Sequence, residues 1–196
     1  MDQLRLAALD KRRIQDFEHL LSGKEFGGCY CAVWTNFDEG WDQRCKERPQ
    51  ENLEHTRAKV FARKHVGFLV IRDSDGAVVG WTGSGPKTAF PRLKDRPGSR
   101  TGPFEDAVWA VGCLAIARSY RGLGYARQIV EGVIEEARRA GARVVEGYPV
   151  EPEADDHAYR GTRKLYEALG FTVAGQEPEG TGSVLRMEKT LTENTL

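Results

Sequence analysis

Apolar and polar positions follow two different periods along this chain. Ala107 to Ala117 (AVWAVGCLAIA) is a nearly continuous apolar run, the pattern of a buried strand. A basic, glycine-rich stretch, Arg118 to Ala126 (RSYRGLGYA), follows it. Apolar residues then recur at Ala126, Ile129, Val130, Val133, Ile134 and Ala137, which is helical spacing. Gly141 stands where a helix C-cap glycine belongs. Ala142 to Val150 (ARVVEGYPV) reads as a second strand. The order is strand, glycine loop, helix, strand: a βαβ unit whose loop lies at a helix N-terminus.

The flanking sequence supplies further elements. Leu4 to Leu9 reads as an edge strand, and Asp10 as the cap of a helix reaching Leu21, with Ile14, Phe17, Leu20 and Leu21 on one face. Cys29 to Thr35 (CYCAVWT) is strand-like, or else a buried loop. Residues 36–50 are polar and irregular, and a helix is predicted from Gln50 to Lys64. Val66 to Arg72 and Ala77 to Gly83 form a hairpin around Asp73-Ser74-Asp75-Gly76. Pro86 to Pro103, with four prolines and five basic residues, reads as a long loop. Asp156 is the predicted cap of a last helix, with Tyr159, Thr162, Leu165, Tyr166 and Leu169 inward and Gly170 at its exit. Phe171 to Gln176 and Ser183 to Leu191 would close the chain as a hairpin.

Composition narrows the function classes. One domain, 1–196, is the default for 196 residues. Lys+Arg and Asp+Glu both number 29, which argues against nucleic acid or an anionic membrane as the main partner. No apolar run approaches the roughly 18 residues of a membrane span. The N-terminus lacks the apolar segment of a signal peptide. Four cysteines in core-forming sequence suit a reduced, cytoplasmic protein.

The glycine loop has chemical meaning. The first N–H groups of a helix have no partner within it and sit at the positive end of its dipole, so an anion, most often phosphate, is their natural guest. Gly122 and Gly124 remove side chains from its path, and Arg121 adds a cationic donor. The P-loop pattern is absent. The dinucleotide fingerprint fails at its third small position, where Arg127 stands.

The remaining pattern, Arg-Gly-Leu-Gly-Tyr-Ala at 121–126, resembles the pyrophosphate loop of the GNAT superfamily of acyl-CoA-dependent N-acyltransferases. The order of strand, helix and strand around it is similar. Residues 163–171 (RKLYEALGF) resemble the family's last helix and its Gly-Phe exit. The resemblance covers about residues 68–190. Gly80-Trp81, Gly85-Pro86, Cys113 and Glu146-Gly147-Tyr148-Pro149-Val150 look like a bacterial subgroup within it. It implies an α/β fold: a mixed, twisted sheet with helices on both faces. It also implies acetyl-CoA as cosubstrate, no metal, and a small-molecule amine as acceptor. Many relatives form homodimers, though no stretch here marks an interface.

The same resemblance assigns site residues. Arg121, Gly122, Leu123, Gly124, Tyr125 and Ala126 would hold the pyrophosphate. Residues 112–116, hence Cys113, Leu114, Ala115 and Ile116, would run beside the pantetheine arm. The last helix departs from the family where Tyr159 replaces the asparagine of many relatives, so that contact does not carry over, and Gly161-Thr162 would approach the cofactor instead. Tyr166 aligns with the tyrosine that protonates the departing thiolate; the alternative is a core tyrosine. Gly112 reads either as a bulge that frees N–H groups for an oxyanion or as a glycine admitting a bulky neighbour. Pro149, which has no N–H, marks where the two strands splay, or merely a strand end. The family's strand glutamate falls at Val108, so Glu146 is the general-base candidate, ahead of Glu105 and Asp106; a structural carboxylate is the competing reading of each.

Trp34, Trp41, Trp81, Trp109 and Tyr148 are candidate acceptor walls. Asp38, Glu39, Asp42, Asp155 and Asp156 would favour a polycation such as an aminoglycoside-like antibiotic or a polyamine, against the alternative of solvated surface charge. Cys113 lacks a sequence-adjacent histidine to activate it, and Cys29, Cys31, Cys45 and His55 are poorly spaced for zinc. Two other functions fit less of the pattern: an acyl-CoA-binding sensor without turnover, and an NAD(P)-dependent oxidoreductase.

Overall fold

A computed structural model describes residues 2–36, 38, 40–94, 107–152, 159–179 and 181–191. The elements, in chain order, are β1 (Leu4–Ala8), α1 (Ile14–Leu21), α2 (Ala32–Thr35), α3 (Trp41–Glu47), α4 (Pro49–Phe61), β2 (Phe68–Arg72), β3 (Val78–Thr82), β4 (Ser84–Pro86), α5 (Pro91–Lys94), β5 (Val108–Val111), β6 (Ala115–Ile116), α6 (Tyr125–Arg139), β7 (Val144–Gly147), β8 (Val150–Glu151), α7 (Arg163–Ala168), β9 (Thr172–Glu179) and β10 (Gly182–Thr190).

Two sheets result. One has the order β1-β2-β3-β6; the other runs β4-β5-β7-β10-β8, with β9 also on β10. Only β5 and β7 pair parallel among these ladders, as a crossover through α6 requires. Alternation along the strands sends side chains to two cores. Leu69, Ile71, Trp81, Ala110 and Tyr148 share one core with Phe17, Trp34, Leu53, Val60, Phe90 and Leu93. Phe68, Val70, Trp109, Val111 and Val145 share the other with Ile129, Val130, Val133, Ile134 and Tyr166. The fold is therefore of the expected mixed α/β class with helices on both faces, but the single sheet expected is divided into two, of which the second is mixed.

Several boundaries are corrected. Cys29–Thr35, expected as a strand or a buried loop, is a turn followed by one helical turn: Tyr30 and Cys31 take positive φ of 43° and 67°, which abolishes an extended path. Residues 36–50, read as irregular, include α3, whose charged sequence carries no apolar period. Asp10 does cap the chain before α1, accepting from the N–H groups of Arg12 (2.9 Å) and Arg13 (3.2 Å), but the helix begins at Ile14. The last helix is capped by Thr162, whose hydroxyl accepts from Leu165 N–H at 3.1 Å; Asp156 lies outside the described residues.

Candidate active site

The site lies where the predicted central strand breaks in two. β5 pairs with β7 only as far as Val111↔Gly147. Beyond that point the chain continues into β6, which joins β3 in the first sheet, while β7's continuation, β8, joins β10 in the second. The two strands thus part just before Pro149. Gly112 sits at the break: its N–H donates to Gly83 O at 3.0 Å. A methyl on Gly112 would lie 2.4 Å from that oxygen and 3.4 Å from the Trp34 ring. The glycine therefore serves close backbone approach. Leu114 N–H donates to Tyr159 O at 2.6 Å, and Ala117 N–H to Val79 O at 3.0 Å. Among the described residues no backbone acceptor receives the Cys113 N–H.

The glycine loop leads from this break into α6. Gly122 and Gly124 have φ of 77° and 76°, the left-handed region, and a methyl on either would meet nothing within 4 Å. Arg121, Gly122, Leu123 and Gly124 are exposed. Among the described residues the N–H groups of Gly122, Leu123 and Gly124 find no backbone acceptor. Gly124 is the N-cap of α6 and brings no capping side chain. The result is an exposed run of peptide N–H groups at the positive end of a 15-residue helix. Arg121 turns back, its Nε donating to Ile116 O at 2.9 Å. Tyr125 is buried, with its hydroxyl on Asp2 at 2.8 Å, while Ala126 is half-buried.

Tyr166 projects from α7 onto the strand break. Its ring is wholly buried, edge-on to Phe171 at 5.1 Å between centroids, and its hydroxyl donates to Arg160 O at 3.0 Å. Gly147 and Gly161 make room for it: a methyl on Gly147 would fall 2.4 Å from Tyr166 Cε1, and one on Gly161 3.1 Å from Cε2 and 3.2 Å from Leu114 Cδ1. Burial, with a smaller contribution from Cys113, pushes the phenol above its usual range, so it keeps its proton at neutral pH.

Glu146 lies on the opposite face of β7 and has no exposed surface. Lys87, equally buried, pairs with its Oε2 at 2.8 Å, and the Tyr148 hydroxyl donates to the same oxygen. Arg186 approaches Oε1 at 3.6 Å. Charge in this apolar setting is thus matched by charge.

Among the aromatic candidates, Trp41 is partly exposed; Trp34, Trp81 and Tyr148 are buried, and Trp109 is 7% exposed. Trp81 stands edge-on to Phe17 at 4.7 Å, a core contact. Trp34 stacks with Arg92 at 5.3 Å and with Arg160 at 5.6 Å, and Arg92 also covers Trp41 at 5.5 Å. Asp38 and Asp42 are engaged by Arg44 (2.8 Å) and Lys46 (2.6 Å); Glu39, Glu105, Asp106, Asp155 and Asp156 lie outside the described residues. Cys113 Sγ accepts from Gly83 N–H at 3.2 Å, so its side chain faces the core and only its backbone borders the break. Lys87, Gly147 and Arg160 were missed in the sequence; Gly147, directly after Glu146 in a strand, was the one visible signal. Among the described residues no group of three His, Cys, Asp or Glu is placed to hold a metal, and no helix is long and apolar enough to cross a membrane.

The model of the acetyltransferase (GNAT) family matches residues 28–171. The chain belongs to this family. As a GNAT protein it is an acyltransferase with acetyl-CoA as cosubstrate, which sets aside the oxidoreductase and the sensor without turnover. Curated protein sequences gave no match. Solved structures agree in fold. The yncA protein of Salmonella typhimurium, solved with acetyl-CoA, is 18% identical, with 100% of this chain and 97% of that one covered and a TM-score of 0.58. The spermidine N-acetyltransferase of Vibrio cholerae, solved with CoA and spermine, is 15% identical over 96% and 95%, with a TM-score of 0.60. AAC(6′)-Ib, solved with ribostamycin and coenzyme A, is 17% identical over 96% and 94%, also at 0.60. At such identities the likeness is one of fold.

Proposed function

We propose that this GNAT protein transfers an acetyl group from acetyl-CoA to a primary amine of a small molecule, by direct attack with both substrates bound. The observation that carries this reading is the open loop of Gly122, Leu123 and Gly124 at the start of α6, feeding the strand break beneath Tyr166. Residues 121–126 would take the diphosphate, each N–H donating to an oxygen. The arm would then lie along residues 112–116, with Thr162, already the cap of α7, beside it.

Three groups at the break have roles. The Cys113 N–H would donate to the carbonyl oxygen as negative charge develops on it. Tyr166, protonated and within one residue layer of Leu114, gives its proton to the departing sulfur. Glu146 and Tyr148 are both buried, with the Tyr148 hydroxyl donating to the carboxylate, so a proton from the amine would reach Glu146 only along that hydrogen bond once the acceptor lies against Tyr148. The acceptor enters on the side of Trp34, Trp41 and Tyr148. The two described acidic residues of the 36–42 segment are paired within it, so the support for a polycationic acceptor rests on the fold neighbours that bind spermine and ribostamycin.

The test is thiol release from acetyl-CoA against amino acids, simple amines, polyamines and aminoglycosides. One class should give saturable release that depends on Tyr166. Release with every amine in proportion to its solution basicity would mean that no acceptor site exists.

A further inference from the structure

The four cysteines, which the acyl-transfer site leaves unused as side chains, stand in two pairs. Cys31 and Cys113 are buried, and their sulfurs flank Gly83: a methyl there would lie 2.7 Å from Cys31 Sγ and 3.2 Å from Cys113 Sγ. Cys29 and Cys45 are only half-buried. The peptide carrying Cys29 lies directly on α3, because a methyl on Gly28 would sit 2.6 Å from the carbonyl oxygen of Cys45. The Asn52 amide clamps the two segments together, donating to Gly28 O at 3.1 Å and to Cys45 Sγ at 3.5 Å. Each of the two thiols shifts the ionisation of the other.

We propose that Cys29 and Cys45 form a dithiol modification site, closed to a disulfide by exchange with a low-molecular-weight disulfide such as oxidised glutathione. The two sulfurs have the unequal character that exchange requires. The neighbouring Cys29 thiol, assisted by Asn52 and opposed by burial, holds Cys45 down to about 7, so much of it is thiolate near neutral pH. The neighbouring Cys45, with burial, raises Cys29, which stays a thiol until its partner has reacted. Cys45 attacks one sulfur of the reagent, forming a mixed disulfide and expelling one thiolate. Cys29, giving its proton to solvent, then displaces the second thiolate from Cys45. Two protein thiols are oxidised, and one reagent disulfide is reduced to two thiols. The buried Cys31–Cys113 pair has no comparable access.

The new bond would join the segment leading into α2, which carries Trp34, to the helix that carries Trp41. Both tryptophans stack on Arg92. The modification would therefore act on the acceptor side, away from the glycine loop.

The full chain, reduced and then incubated with oxidised glutathione, tests this by intact mass and peptide mapping. The expected product is lighter by two hydrogen atoms, carries no glutathione, yields a Cys29–Cys45 cross-linked peptide and reverts with dithiothreitol. Cys29→Ser should trap glutathione on Cys45, and Cys45→Ser should react roughly tenfold more slowly than the parent. A stable glutathione adduct on the parent chain, a Cys31–Cys113 cross-link, or no reaction would each overturn the proposal. No acceptor or acetyl-CoA enters this assay, so its outcome is separate from that of the acyl-transfer reading.

Discussion

The ring of Tyr166 lies against the backbone of Gly147, so close that a single added methyl would stand 2.4 Å from Cε1. The contact joins α7 to the last residue of β7 that still pairs with β5. The ring is fully buried and cannot swing aside cheaply. Gly147→Ala should therefore cost about 1–3 kcal/mol by overpacking. Turnover should fall as the phenol is displaced, while CoA affinity changes little. Denaturant unfolding and steady-state kinetics on the same preparation check both parts.

Tyr166→Phe removes the hydroxyl and leaves the packing. Loss of the proton donor should lower kcat by roughly a hundredfold. The abandoned Arg160 carbonyl should cost about 1 kcal/mol of stability. Unchanged kcat would return Tyr166 to the status of a core tyrosine.

Glu146 and Tyr148 can be separated by mutation. Lys87→Met leaves a buried carboxylate without its nearest cation and should destabilise by about 3–5 kcal/mol. Tyr148→Phe keeps that ion pair but cuts the route from the amine to Glu146. It should depress kcat, with a stability loss nearer 1 kcal/mol. If Tyr148→Phe is kinetically silent, the proton leaves another way.

His65 makes stability depend on pH. Burial lowers its pKa in the fold, although its Nε2 lies 2.6 Å from Ser84 O, which opposes the shift. Below an unfolded-state pKa of about 6.5 the unfolded chain binds a proton that the native chain resists. Unfolding free energy should thus fall as pH drops from about 7 toward 5, levelling off once the folded-state pKa is passed. Chemical denaturation across that range, with and without His65→Gln, reads the difference; the variant's curve should be flatter.

The loop glycines bear on cofactor capture. Gly124→Ala places Cβ at a φ of 76°, a strain of about 1–2 kcal/mol, but the space around it is open within the protein. The methyl would stand in the path of the diphosphate. Calorimetry should show CoA affinity falling by at least about tenfold, more than the loss of stability explains.

What was legible in the sequence was what a period or a glycine announces. The apolar run at 107–117, the spacing from Ala126 to Ala137 and the loop between them gave the centre of the fold. The 68–82 hairpin was equally plain, since its turn is Asp-Ser-Asp-Gly. The entry to α2 was not, because Tyr30 and Cys31 adopt positive φ only under tertiary pressure. Nor was α3, a charged helix held by Arg44 on Asp38 and on the Asn36 carbonyl. The acid candidate Tyr166 could be named from its context. The partner of Glu146 could not, for Lys87 lies far off in the chain and meets it only across the sheet. Aromatic residues named for the acceptor side gave no hint that four of the five, Trp34, Trp81, Trp109 and Tyr148, are buried.

Amide resonances of residues 121–126, followed as CoA and then pantetheine are titrated, test the central claim most directly. Peptide nitrogens from Gly122 to Ala126 should shift and saturate with CoA, and should respond far less to pantetheine, which lacks the diphosphate. Saturable CoA binding that moves residues elsewhere and leaves these amides still would contradict the account.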